Sequence, residues 1–165
     1  MAVTRNGFVK FGEFEGEATD AKHKGWSFVH AVSAPLTRTT GGYEQSERSG
    51  GATAVGMVTV VKDLDASSVK IQKALVSGQK VSKVKIELCS TVGGQSQPYL
   101  SYEFEDVILT GYDLEEPVDA KRLEPTERIS FSYAKATWTY MKFGTDGTSQ
   151  GKVTDAYVVG AATKK

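Results

Sequence analysis

The feature that most constrains the fold is an alternation of apolar and polar side chains with a period of two. In its clearest form, Val84, Ile86 and Leu88 are separated by charged residues. This spacing is typical of a β-strand with one face on a core and the other on solvent or a partner. A second alternating run predicts one long strand from Ile129 to Thr139. Further strands are predicted at Gly7–Phe11, Trp26–Ser33, Ala54–Lys62, Tyr99–Leu109 and Val153–Val159.

One segment has helical spacing instead, and it predicts a single short α-helix over about residues 67–77. Its apolar side chains fall on one face and its lysines on the other. Asp63 and Asp65 precede it and are expected to cap its first turn. Gly78 follows it and can adopt the left-handed conformation that ends a helix. We expect this helix to pack against a barrel or sandwich of antiparallel strands.

Glycine-containing turns mark two hairpins, and two longer stretches separate other strands. Gly93-Gly94 and Asp146-Gly147 suit tight turns between antiparallel strands. The stretches Ala34–Gly51 and Gly111–Thr126 are too long for tight turns and are predicted to be irregular loops. Long loops in a compact domain are usually functional or disordered.

Length and charge limit the classes of protein that this chain can belong to. The 165 residues fit one domain, residues 1–165. The 20 basic and 20 acidic side chains cancel, so nucleic acid and anionic membrane surfaces are not expected partners. No apolar run approaches the roughly 20 residues of a membrane-spanning helix, so membrane insertion is not expected. Residues 1–10 lack the apolar core of a signal peptide, so classical secretion is not expected. The lone Cys89 excludes an internal disulfide, which favours folding in the cytosol.

The sequence offers few groups for chemistry. His23, His30 and Cys89 show no spacing typical of a zinc site. We expect His23 in a polar turn, His30 on a strand, and Cys89 in the core as a small hydrophobic residue. The prediction is therefore no catalytic, cofactor-binding or metal site, and no cofactor. Two alternatives stay open: a monomeric ligand-binding β-barrel with inward aromatic side chains, and a catalytic barrel that uses His23 or His30.

Several runs, taken together and in order, resemble the Hcp family, the haemolysin-coregulated proteins that form the inner tube of the bacterial type VI secretion system. The resemblance covers nearly the whole chain. It rests on Gly16–Trp26 (GEATDAKHKGW), Val61–Ser68 (VKDLDASS), Tyr99–Tyr102 leading to Val107–Leu109, and Pro125–Glu127 followed by a strand ending Trp138-Thr139-Tyr140.

The resemblance implies a mainly β fold: a β-barrel of two packed antiparallel sheets with one flanking helix. It also implies a structural subunit, not an enzyme, that forms a homo-hexameric ring. The rings stack into a tube that is propelled into target cells and can carry effector proteins in its lumen, together with a spike (VgrG-like) protein and a sheath. The protein is then made in the bacterial cytoplasm and secreted through the type VI system without a signal peptide. Ring closure has a physical rationale, since it covers strand edges that would otherwise expose unpaired backbone groups.

The stretch 34–51 departs most from the family pattern and is expected to project from the domain as a loop that reaches the adjacent ring. Ser33, at the end of a predicted strand, is the candidate for contact with the lumen or an effector. The candidate residues for ring stacking are Arg38, Tyr43, Glu44, Glu47 and Arg48.

Overall fold

The computed structural model describes residues 5–41, 49–92, 95–115 and 125–160. The strands in these ranges are β1 Arg5–Phe11, β2 Ser27–Ser33, β3 Leu36–Gly41, β4 Ser49–Val55, β5 Val58–Asp63, β6 Val81–Val92, β7 Gln95–Glu115, β8 Thr126–Ser132, β9 Lys135–Phe143 and β10 Ser149–Val158, and the helix is α1 Ser67–Ser77. The predictions of a mainly β chain, a β-barrel with two sheets and one short helix are confirmed.

Six antiparallel strands close the barrel in the order β7-β6-β1-β2-β5-β8, and β8 pairs back with β7. Closure is possible because β7 is 21 residues long and changes partner along its length. Residues 100–105 pair with β9, whereas residues 108–115 pair with β8. Asp106, between these two segments, has a positive φ of 52°, a conformation that aspartate tolerates better than most residues. The strand therefore bends where its neighbour changes.

Strands β9 and β10 extend the barrel sheet beyond its closed part, while β3 and β4 form a separate two-stranded sheet. The prediction of an irregular loop over Ala34–Gly51 is therefore wrong at both ends, where β3 and β4 pair from Leu36 opposite Val55 to Gly41 opposite Ser49. The threonines of β3 account for part of the difference, because the branched threonine side chain fits a pleated sheet even in a polar stretch. The predicted loop Gly111–Thr126 is also shorter than expected, since β7 continues to Glu115 and pairs there with Thr126.

Two predicted strands are each broken in the structure. The strand predicted at Ala54–Lys62 is interrupted at Gly56, whose amide donates a hydrogen bond to the carbonyl of Pro35 (2.9 Å). The long strand predicted from Ile129 to Thr139 ends at Ser132 and restarts at Lys135. The break arises because its two halves pair with different segments of β7, so the chain must step sideways between them.

The barrel interior is a packed aromatic and aliphatic core. Phe104 lies at its centre, with ring centroids 5.4 Å from Phe131 and 4.8 Å from Tyr133. Phe11 contacts Phe131 edge-on at 6.1 Å, within the range of favourable aromatic pairs. A second, smaller core lies outside the barrel, where the segment before β2 folds over β1 and β6 and buries Phe8.

The helix has the expected bounds, Ser67–Ser77. The carboxylate of Asp65 accepts a hydrogen bond from the amide of Ser67 (2.9 Å), and Ser68 Oγ accepts one from the amide of Asp65 (3.0 Å). Gly78 has a left-handed φ of 65° and closes the last turn. Asp63 does not cap the helix as predicted but hydrogen bonds to His30 instead. In the described ranges we find no helix with the length and apolar character needed to cross a membrane.

Candidate assembly surface and buried polar clusters

Strand β10 is the open edge of the barrel sheet. In the described ranges it pairs only with β9, where Tyr140 lies opposite Val153 and Thr139 opposite Thr154. The hydroxyls of the two threonines are 3.1 Å apart and reinforce that pairing. The other edge of β10 presents backbone groups that can pair with a second strand. The closed barrel covers its own edges, so the expectation of unpaired edges holds for β10 rather than for the barrel as a whole.

An incompletely covered apolar surface adjoins this edge. Residues directly opposite in an antiparallel sheet share a face, so Leu100, Tyr140 and Val153 form one row. Tyr102 and Trp138 form the next row on that face, and the exposed Asp155 of β10 lies opposite Trp138 at its end. Burial decreases outward along the face: Tyr102 and Trp138 pack against the core, whereas Tyr140 is 53% and Val153 72% exposed. We call the apolar members of the two rows the β9–β10 apolar face: Leu100, Tyr102, Trp138, Tyr140 and Val153.

The β3–β4 hairpin carries one of the predicted ring-stacking residues. Arg38 is exposed on β3, and its Nε donates a hydrogen bond to the carbonyl of Gly51 (3.1 Å). The other candidates, Tyr43, Glu44, Glu47 and Arg48, lie outside the described residues. The lumen candidate Ser33 is exposed at the end of β2, opposite Thr59 of β5. A bulge after Val29 shifts the alternation of β2, which places Ser33 on the solvent side.

A buried ion pair joins β5 to β8 beneath the start of the helix. Lys62 and Glu127 lie opposite each other in the sheet, and both side chains are fully buried. Lys62 Nζ is 2.6 Å from Glu127 Oε1 and 3.0 Å from Asp65 Oδ1. The two sequence runs Val61–Ser68 and Pro125–Glu127 therefore meet in one cluster.

The remaining oxygens of this cluster are also satisfied. Ser68 Oγ donates to Glu127 Oε1 (2.9 Å), and the Tyr112 hydroxyl donates to Glu127 Oε2 (2.6 Å). Burial opposes ionisation of Asp65, but hydrogen bonds from Ser27 and Ser67 and the charge of Lys62 outweigh it and hold its pKa below the usual value. Burial, then the contact with Glu127, raises the pKa of Tyr112. A fully hydrogen-bonded cluster of this kind fastens helix α1 to the barrel.

His23 is the centre of a second buried cluster. His23 lies in the turn before β2, as predicted from the sequence. Its side chain is only 1% exposed, however, and its ring stacks on Phe8 with centroids 4.2 Å apart. Nδ1 lies 2.7 Å from a carboxylate oxygen of Asp20, and Nε2 lies 2.7 Å from one of Glu87. Ionised carboxylates only accept hydrogen bonds, so both ring nitrogens donate and the ring is an imidazolium. Burial alone would lower the pKa of His23, but its contacts with Cys89, Glu87 and Asp20 raise that pKa to about 10.

The groups around His23 include the cysteine, histidine and carboxylate of a nucleophilic triad, but the cysteine is not accessible to a substrate. Cys89 Sγ lies 4.0 Å from His23 Nε2, and Asp20 orients the other ring nitrogen. Cys89 is fully buried as predicted, however, and Glu87 occupies the nitrogen that would take the thiol proton. His30, on β2 as predicted, is exposed and pairs with Asp63. This arrangement gives no support to the catalytic barrel.

The sequence interpretation missed Lys62 and Glu127, although a signal for them was present. Val58 and Val60 point into the barrel, and Lys62 continues that alternation by one step. Glu127 does the same ahead of Ile129 and Phe131. Extending the period-two pattern past the last apolar residue therefore predicts two inward charges of opposite sign.

Comparison with known proteins agrees with this architecture. A family model described as "Type VI secretion system effector, Hcp" matches residues 8–140. The "Major exported protein" of Pseudomonas aeruginosa is 30% identical over 96 residues, which cover 54% of this chain and 55% of that relative. The match thus spans about half the length of the curated relative.

Solved structures match over a larger share of the chain. One described as "Structure of a type six secretion system protein" superposes with a TM-score of 0.86 at 25% identity, covering 94% of this chain and 96% of that one. Hcp1 from Salmonella typhimurium superposes with a TM-score of 0.72 at 21% identity, covering 93% and 94% of the two chains, and shows the shared fold. Because the family model spans residues 8–140, most of the sequence, the chain belongs to the Hcp family of type VI secretion system proteins.

Proposed function

We propose that this protein is a structural subunit of the type VI secretion tube and assembles as a hexameric ring. Membership of the Hcp family supports a secreted structural protein. The observation that carries the proposal is the combination of an open edge on β10 with the adjoining apolar face. A neighbouring subunit that covers both would remove the unpaired backbone groups and the exposed Tyr140 and Val153 in one contact.

A head-to-tail contact favours a closed ring. In a head-to-tail contact, the β9–β10 apolar face of one copy would meet a different surface of the next copy. Repetition of such a heterologous contact generates a ring when the rotation closes. The hexamer is the closed form that the family resemblance implies.

Ring stacking and transport complete the proposal. The rings stack through the stretch 34–51, with Arg38, Tyr43, Glu44, Glu47 and Arg48 as the candidate contact residues. The tube carries effectors in its lumen, with Ser33 as the candidate contact, and works with a spike protein and a sheath. The protein leaves the bacterial cytoplasm through the type VI system.

The monomeric ligand-binding barrel is less well supported. That function needs inward aromatic side chains to enclose space for a ligand. Phe11, Phe104, Phe131 and Tyr133 are instead buried in the interior, where their rings contact one another.

The assembly is tested with a charge placed on the β9–β10 apolar face. Val153→Asp is expected to convert rings into monomers, because an interface cannot bury an unpaired carboxylate without a large loss of affinity. Val153 is 72% exposed, so the fold of the subunit should be unaffected. Native mass spectrometry and negative-stain microscopy measure the oligomeric state.

Val76→Asp is the matched control, since Val76 is 79% exposed on the helix, away from β10. Rings should persist in that variant. A wild-type protein that is monomeric at all concentrations contradicts the ring. Rings that survive Val153→Asp but not Val76→Asp would place the interface on the helix.

A further inference from the structure

Three different zinc-ligating groups converge in the small core outside the barrel. His23 comes from the turn before β2, whereas Glu87 and Cys89 lie two residues apart on β6 and point to the same side of the sheet. Their ligand atoms, Nε2, a carboxylate oxygen and Sγ, all lie within 4.8 Å of one another. We propose that His23, Glu87 and Cys89 form a zinc-binding site, with Asp20 as the outer partner of the histidine.

The separations need only small adjustments to accept the ion. Zinc lies about 2.0–2.3 Å from nitrogen, oxygen and sulfur ligands in a tetrahedral arrangement, so neighbouring ligand atoms are separated by roughly 3.3–3.7 Å. The Nε2-to-Sγ distance of 4.0 Å has to close slightly. The distance of 2.7 Å between Nε2 and the Glu87 carboxylate oxygen has to increase. The Glu87 side chain is 24% exposed, so it has room to move toward solvent by the small amount needed while it remains a ligand. Water supplies the fourth ligand on that open side.

The histidine is already held in the orientation that a metal ligand needs. Asp20 accepts a hydrogen bond from Nδ1 at 2.7 Å, the carboxylate–histidine arrangement that fixes the ring and directs Nε2 at a zinc ion. Phe8 stacks on the ring with an interplanar angle of 1° and prevents it from tilting. Metal binding therefore requires little loss of side-chain freedom at His23.

The exchange of protons for zinc is also balanced in charge. In the metal-free cluster, two carboxylates and one imidazolium give one net negative charge, with the thiol neutral. Zinc takes the place of the Nε2 proton and the thiol proton, which leave to solvent. Two carboxylates, one thiolate and Zn²⁺ again carry one net negative charge, so a buried site gains no uncompensated charge.

The test is a titration of the untagged full chain with Zn²⁺ and, separately, with Co²⁺. We expect one zinc ion per chain by calorimetry and a thiolate-to-cobalt charge-transfer band in the near ultraviolet. Cys89→Ser preserves the size of the side chain and the ion pairs of His23, so it should fold. It should abolish the cobalt band and weaken zinc binding by more than the roughly 10–100-fold loss typical of an outer-shell change.

Two further variants separate this site from adventitious binding. Asp20→Asn should weaken zinc binding by about 10–100-fold while the cobalt band remains at saturation. His30→Ala removes the exposed histidine beside Asp63 and should leave zinc affinity unchanged. Absence of the cobalt band at saturation, or zinc binding that is lost in His30→Ala and kept in Cys89→Ser, overturns the proposal. The ring is not required for any of these measurements.

Discussion

Removal of the positive charge from the buried cluster under helix α1 should be among the most destabilising single changes in this protein. Lys62→Met keeps the aliphatic length of the side chain but leaves the fully buried Glu127 without its cation. Breaking a buried ion pair by removing one partner costs about 3–5 kcal/mol. Asp65 loses its contact with Lys62 Nζ in the same variant, which favours the upper part of that range. The assay is equilibrium unfolding in urea at one fixed protein concentration, because assembly would add to the apparent stability.

The exposed pair Lys80–Asp106 is the matched control for this measurement. Its Nζ–Oδ1 distance is 3.1 Å, but both side chains are more than half exposed. Lys80→Met should therefore change the free energy of unfolding by about 0–1 kcal/mol.

A double variant tests whether the loss of stability comes from the buried charge that is left without a partner. Lys62→Met combined with Glu127→Leu should lose about 1–3 kcal/mol less than the sum of the two single variants, since neither charge is then buried alone. If Lys62→Met costs no more than Lys80→Met, the buried cluster does not fasten the helix and the reasoning fails.

Two further outcomes test the helix start and the turn before β2. Asp65→Asn should make the free energy of unfolding fall less steeply at acid pH, as measured by unfolding between about pH 2 and 5. The pKa of Asp65 is depressed in the folded state, so its contribution to stability is present above its usual pKa and is lost as pH falls through the folded value. An unchanged acid limb of the stability curve would contradict this. Gly16→Ala should cost about 1–3 kcal/mol in urea unfolding, because its new Cβ would lie 2.5 Å from both the Trp26 carbonyl oxygen and Ser27 Oγ, and a fully stable variant would show that the turn can move.

The strands were predictable because their signal is local. Val84, Ile86 and Leu88 alternate within one segment, and the core of the barrel selects that face. The break between β8 and β9 was not predictable in the same way, since both halves have the residues of a strand. It depends on β7 being long enough to pair with each half at a different place. No property of residues 133 and 134 taken alone specifies the length of β7.

The His23 cluster shows a stricter limit. His23 and Cys89 are 66 positions apart, and neither lies in a spaced motif that would suggest a shared site. They meet because the segment before β2 folds over the outer face of β1 and β6, where the alternation of β6 alone predicts charged side chains facing solvent. The conflict between Cys89 and its charged neighbours on that face was an available sign that another layer covers the strand, and Phe8 on β1 is a second. A cysteine on the polar side of an amphipathic strand therefore indicates that some part of the chain, here the turn that carries His23, packs above it.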